Sequence, residues 1–148
     1  MTTVAWDGQT LAADRMACIG NAKNASTKKI YAIKGGGYAA VAGHAGAGEL
    51  MFRWLDHGAV IDDYPLADPE LCTVIVITEE GQLLQYDGPA PVKVEAEFYA
   101  IGSGRDFALA AMHLGHDAKK AIEVASVLDQ STGNGIDFVT LPTKGTVQ

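Results

Sequence analysis

Cysteine is scarce in this sequence, and the two cysteines that occur lie far apart. Cys18 and Cys72 belong to no Cys-x-x-Cys motif and to no cysteine–histidine cluster, so we predict neither a disulfide framework nor a zinc site. Free thiols are typical of a reducing compartment, which favours a cytoplasmic protein. His113 and His116 lie close together, but no carboxylate or thiol is placed to complete a metal site with them.

Long apolar runs and an excess of basic residues are also absent. No stretch approaches the roughly 20 apolar residues that span a bilayer. Residues 1–10 lack the basic start and apolar centre of a signal peptide, so we expect no membrane association and a mature chain that begins near Met1. Eleven Lys and Arg face 18 Asp and Glu, a net charge of −7. This charge repels phosphate backbones and disfavours nucleic-acid binding.

Repeats and low-complexity linkers are missing too, and 148 residues of ordinary composition predict one domain over 1–148. Asp7-Gly8 and Glu79-Glu80-Gly81 each separate two short apolar runs, as in β-hairpins. Hairpins beside grouped helices predict antiparallel sheets covered by helices. The expected helices are 49–57, 105–113 and 117–128, and the expected strands are 2–6, 10–13, 29–33, 38–43, 72–78, 82–86, 98–101 and 136–141, with a loop over 59–71.

Thr2 is the first candidate for chemistry. A hydroxyl ordinarily needs a separate base, because its own pKa is far above neutral. If Met1 is removed, which the small side chain of Thr2 favours, a free α-amine with a pKa of about 7.7–8.0 stands beside the hydroxyl. One residue then supplies nucleophile and base together. Retention of Met1 would block the amine, and a Met-Thr start without any such role is common.

Charged strand ends and a glycine-rich turn allow a chemical and a structural interpretation alike. Asp14 ends an apolar strand, where it either holds a cation or reaches solvent. Lys29, or its rival Lys28, either stabilises an alkoxide in a cleft or belongs to a solvated turn. The segment 43–48 either presents oxyanion-binding N–H groups or allows a close crossing of the backbone.

Two later motifs contain hydroxyl side chains. Ser103 lies in Ile-Gly-Ser-Gly at a strand-to-helix turn, where it relays a proton or caps the helix. The Gly-x-Gly there is a weak match to a dinucleotide fingerprint, since no βαβ unit surrounds it. Asp129 and Thr132 lie in Asp-Gln-Ser-Thr-Gly, which is otherwise a polar helix end.

The order of these motifs resembles that of the proteasome β-subunits and the HslV-type bacterial peptidases. The resemblance runs from Thr2 to about Leu141. It is carried by a Thr-Thr start, an Ala-Asp-Arg strand end, Lys before Ile, Ala-Gly-x-Ala-Gly at a helix, Ile-Gly-Ser-Gly at a later helix, and Asp-x-x-Thr-Gly.

This resemblance implies an α+β fold, the four-layer αββα sandwich of the N-terminal-nucleophile hydrolases. It implies a threonine-type endopeptidase without cofactor or metal. The implied site residues are Thr2 as nucleophile, Asp14, Lys29, Gly46 as oxyanion donor, Ser103, Asp129 and Thr132, with Thr27, Tyr31, His44 and Gly48 around the substrate side chain.

The resemblance also implies partners. We expect a homo-oligomeric ring of six or seven subunits, stacked as a double ring, with an AAA+ ATPase unfoldase that delivers unfolded protein or peptides. Two alternatives stay open: a catalytically inactive, α-type ring scaffold, and an N-terminal-nucleophile amidase that acts on a small molecule.

Overall fold

Short strands separated by tight turns form antiparallel sheets in the computed structural model, which describes residues 2–19 and 22–142. The strands are β1 (Thr3–Trp6), β2 (Thr10–Asp14), β3 (Met16–Ile19), β4 (Ala22–Ser26), β5 (Ile30–Ala32), β6 (Tyr38–Gly43), β7 (Cys72–Ile77), β8 (Leu83–Tyr86), β9 (Pro91–Val94), β10 (Tyr99–Gly102) and β11 (Ile136–Thr140). The helices are α1 (Ala45–Asp56), α2 (Arg105–His113) and α3 (Ala118–Leu128).

Two main sheets and a two-stranded ribbon result from the pairing. The first sheet has the order β10-β1-β2-β11 and the second β5-β6-β7-β8-β9, while β3 pairs with β4. In the first sheet Val4 lies opposite Ile101 on one side and Ala13 on the other. This register places the start of β1 beside the end of β10 and the end of β2, where Asp14 lies.

The two sheets pack face to face through their apolar sides. Val4 and Leu11 of the first sheet meet Ile75 and Ile77 of the second in a common cluster, and all four are fully buried. Each such side chain contributes about 1.5–3 kcal/mol by leaving water. Helix α1 covers the outer face of the second sheet, and α2 and α3 cover that of the first. The predicted four-layer αββα sandwich is confirmed.

Several boundaries differ from the sequence predictions. Helix α1 begins at Ala45 rather than residue 49, because the His44 ring accepts the Ala47 N–H and caps the glycine-containing first turn. The β3–β4 ribbon and the exposed edge strand β9 were not predicted, because neither shows a clear apolar alternation. The expected loop over 59–71 contains two short 3₁₀ turns.

In the described part of the chain, no helix combines the length and apolarity that crossing a membrane requires.

Candidate active site

Thr2 lines a cleft of about 800 Å³. The cleft runs between the start of β1, the β3–β4 ribbon and the first turn of α1, and its wall includes Thr2, Met16, Thr27, Lys29, His44 and Gly46. Thr2 itself is only 3% exposed. Thr2 therefore belongs to the wall of the cleft, with little of its surface exposed.

A buried ion pair lies behind Thr2. Lys29 Nζ donates to Asp14 Oδ1 over 2.7 Å, and the two side chains are 4% and 0% exposed. The carboxylate also accepts the backbone N–H groups of Thr3, Met16 and Gly133, at 3.1, 3.3 and 3.0 Å. Four donors thus hold a charge that would otherwise be costly to bury.

The structure distinguishes the two rival lysines. Lys28 is exposed and lies over the Tyr31 ring, with Nζ 5.4 Å from the ring centre. Lys29 is the lysine that reaches Asp14. Arg15, the other half of the Asp-Arg strand end, pairs instead with Asp137 at the surface.

A second carboxylate network lies on the other side of the β1 backbone. Asp129 Oδ2 accepts the hydroxyls of Ser103 and Thr132, each over 2.6 Å, and Oδ1 accepts the Ser131 N–H. Partial burial opposes ionisation of Asp129, but these hydrogen bonds outweigh it and hold its pKa below the usual value. Asp129 is therefore an ionised acceptor at neutral pH.

Gly102 allows this network to approach Thr2. A Cβ on Gly102, which has φ +100°, would lie 1.9 Å from the Thr2 carbonyl oxygen. The strand thus comes close enough for Ser103 Oγ to lie 3.3 Å from that oxygen. Ser103 has one proton, and the charged Asp129 oxygen at 2.6 Å is the stronger acceptor for it.

The first turn of α1 faces the cleft. The N–H groups at a helix start have no partner within the helix and carry partial positive charge. The Ala47 N–H donates to the His44 ring, and the N–H of Gly46 belongs to the same exposed turn. A Cβ at position 46 would lie 3.2 Å from the His44 ring, so the cap and the glycine fit one another. This turn is suited to hold an oxyanion.

Of the four residues expected around a substrate side chain, two line the cleft and two do not. Thr27 and His44 line the cleft. Gly48 lies behind the wall, where a Cβ would come within 3.0 Å of Val41. Tyr31 is set back from the cleft and donates its hydroxyl to Glu49, which does line it; burial and this contact raise the pKa of Tyr31.

Sequence reasoning missed two participants. Glu49 was read only as the start of a helix, although helical spacing from residue 45 places it on the cleft side. Thr3 was read only as part of a strand, yet its N–H binds Asp14 and its hydroxyl meets Thr132 at 2.7 Å. A second threonine beside the candidate nucleophile was the available signal.

Two further expectations concern the removal of Met1 and the lack of a metal site. The removal of Met1 concerns a residue outside the described ranges. Among the residues that are described, no group of three or more His, Cys, Asp or Glu side chains is arranged to hold a metal ion.

Solved structures of similar fold give the comparison with known proteins. HslV from Trypanosoma brucei is 23% identical with a TM-score of 0.69, over 96% of this chain and 99% of that one. Thiobacillus denitrificans BPH is 20% identical with a TM-score of 0.67, over 95% and 98%. The same protein in complex with epoxomicin gives 18% and 0.65, over 96% and 99%.

No protein-family model matches the chain, and no curated protein matches its sequence. At these low identities, structural similarity over nearly the whole length of both chains shows a shared architecture. The chain therefore has the same fold as HslV from Trypanosoma brucei, a four-layer αββα sandwich.

Proposed function

We propose that this protein is a threonine-type endopeptidase with Thr2 as its nucleophile. The observation that carries the proposal is the position of Thr2 in the wall of the cleft, with the Lys29–Asp14 pair and the Ser103–Asp129 pair both at the start of β1. Both pairs contact residue 2 or its neighbour in β1. Charged and hydroxyl groups converging on one threonine are the arrangement that activates a weak nucleophile.

The reaction follows from these groups once Met1 has been removed. The α-amine of Thr2 takes the proton of its own hydroxyl, and Oγ1 bonds to the substrate carbonyl carbon. The N–H of Gly46 stabilises the oxyanion. The C–N bond breaks, the amine proton passes to the leaving group, and an ester remains on Thr2. Water then cleaves the ester, with the amine as base, and Oγ1 recovers its proton.

The surrounding charges assist this chemistry. The ammonium of Lys29 favours the alkoxide form of Thr2 and the unprotonated form of its amine, because like charges repel. Asp14 lies 2.7 Å from the Lys29 ammonium and compensates its charge in this buried site. Ser103 is placed near the backbone of residue 2, from where it can pass a proton by way of water.

Mass spectrometry after treatment with epoxomicin, the compound that is bound in one of the similar structures, tests the proposal. We expect the intact mass to show loss of Met1 and a single adduct, and peptide mapping to place the adduct on Thr2. The heat-denatured protein is the control and should stay unlabelled. A retained Met1 without adduct would contradict the proposal and favour the scaffold alternative. Labelling with hydrolysis of small amides only would favour the amidase.

We further propose that the working form is a cytoplasmic homo-oligomeric ring, six or seven subunits around and stacked in pairs, fed with unfolded protein by an AAA+ ATPase. Exposed apolar side chains support an assembly: Val60, Ile61, Leu114, Val127, Leu128 and Phe138 are each more than half exposed. Such surfaces favour contact with another chain. Light scattering at micromolar concentration should give a multiple of 15.5 kDa, whereas a monomer would argue against the ring.

A further inference from the structure

The hydroxyl of Thr3 has no role in the mechanism above, although it is fully buried beside the candidate nucleophile. Its Oγ1 lies 2.7 Å from Thr132 Oγ1. A hydroxyl has one proton to donate. Thr132 donates its proton to the Asp129 carboxylate over 2.6 Å, so in the contact between the two threonines Thr3 must be the donor.

Protons therefore point in one direction along this set of groups. Thr3 donates to Thr132, and Thr132 donates to Asp129. The carboxylate is ionised, because its hydrogen bonds hold its pKa below the usual value. Consecutive hydrogen bonds that end on a charge polarise one another, and burial strengthens them.

The same groups also surround the backbone of residues 2 and 3, through hydrogen bonds on the Thr3 side and a close contact at the Thr2 carbonyl. Ser103 also binds Asp129 and lies 3.3 Å from the Thr2 carbonyl oxygen. Starting from that carbonyl, the path runs through Ser103, Asp129 and Thr132 to Thr3, and a peptide bond returns it to Thr2. The Thr3 N–H is held separately by Asp14. Residue 3 is thus fixed at its amide and at its side chain.

Gly104 leaves room for the threonine pair. A Cβ at position 104 would lie 2.1 Å from Thr3 Oγ1 and 3.1 Å from Thr132 Oγ1. Any side chain there would separate the two hydroxyls. The second glycine of the Gly-Ser-Gly motif is therefore explained by the contact between Thr3 and Thr132, whereas the first, Gly102, is explained by the Thr2 carbonyl.

We propose that Thr3 is a positioning residue, whose hydroxyl orients Thr2 through the hydrogen-bonded path from Thr3 to Thr132 and Asp129. This inference rests on the proposed function of Thr2. A residue at the start of a strand has a neighbour in the sheet on one side only, and small rotations of its backbone displace its side chain. Fixing residue 3 at two points removes this freedom and holds Oγ1 of Thr2 toward the cleft.

The test compares Thr3→Ser with Thr3→Ala, two variants that both lose the methyl group and differ only in the hydroxyl. We expect Thr3→Ser to stay within about 3-fold of the parent kcat, and Thr3→Ala to lose about 10- to 100-fold, as displaced reacting groups do. KM should change little, because residue 3 does not line the cleft. Peptide hydrolysis and the rate of reaction with epoxomicin are both measured.

Thr10 supplies the matched control. Its hydroxyl bonds that of Thr140 over 2.9 Å in the same sheet, away from the cleft. Thr10→Ser and Thr10→Ala should both keep the parent kcat, whatever their melting temperatures. If Thr3→Ala does not fold, Thr3→Val removes the hydroxyl without leaving a cavity.

The outcomes separate this inference from the proposed function. Equal kcat in Thr3→Ser and Thr3→Ala would overturn the role of the hydroxyl, whether both variants keep the parent activity or both lose it. A parallel loss in Thr10→Ala would also overturn it, since stability alone would then explain the effect. A parent protein that neither hydrolyses peptides nor reacts with epoxomicin would overturn the proposed function itself.

Discussion

Replacing Thr2 by alanine is expected to lower kcat for peptide hydrolysis by at least about 1,000-fold, the order of loss seen when a nucleophile is deleted. The α-amine, Lys29 and the Gly46 N–H would all remain, but no oxygen would be present to form the ester. The free energy of unfolding should fall by no more than about 2 kcal/mol, because only a small side chain is removed. A fluorogenic peptide assay and urea denaturation measure the two quantities.

Thr2→Ser is the control for this variant, because it keeps a hydroxyl beside the α-amine. We expect the serine variant to keep measurable turnover and to react with epoxomicin. Hydrolysis by Thr2→Ala at the same rate as the parent protein would show that the nucleophile lies elsewhere in the cleft. Comparable losses in both variants would show that the methyl group of Thr2, rather than its oxygen, matters.

Asp14→Ala is expected to destabilise the fold by about 3–5 kcal/mol and to abolish hydrolysis, because it breaks a buried ion pair from one side. Lys29 would keep a buried charge without its counter-ion, and the N–H groups of Thr3, Met16 and Gly133 would lose their acceptor. Urea denaturation measures the change. A loss below about 1 kcal/mol would mean that water replaces the carboxylate and that the pair is less isolated than its burial indicates.

The chain also has a partly exposed ion pair, which serves as a comparison for the buried one. Arg15 and Asp137 are 36% and 30% exposed, so Asp137→Ala should cost no more than about 1 kcal/mol. Adding Lys29→Met to Asp14→Ala should recover part of the lost stability, since the double variant has no orphaned charge. A strictly additive loss would contradict the proposed coupling between the two side chains.

The sheets and helices were predictable from the sequence wherever a side-chain period was clear. Val74–Ile77 in β7 is a continuous apolar run, and the apolar residues of α3 repeat at helical spacing. The start of α1 was not predictable from propensity, because Gly46 and Gly48 disfavour a helix and only the contact between His44 and Ala47 settles it. The ribbon β3–β4 and the edge strand β9 were not predictable in this way, because three of the five residues of β4 are polar and β9 has only four residues and begins with proline.

The candidate site shows the same division. Asp14 and Lys29 were expected together, and the structure brings them into contact. The hydrogen bond between Thr3 and Thr132 joins residues 129 positions apart, and the local sequence around neither residue predicts it. The orientation of Gly48 toward Val41 depends on how α1 packs on its sheet. Contacts of this kind are set by tertiary packing and not by motif.

The turn that follows α3 holds both carboxylate networks at once. Asp129 and Thr132 belong to one network, and the N–H of Gly133 binds Asp14 in the other. The surroundings of β1 and β2 are therefore completed by a turn that lies 119 positions further along the chain than Asp14. A chain that has not yet folded this turn onto β1 and β2 would carry Thr2 without the groups that surround it, so the activity proposed for Thr2 would require that these distant segments have met.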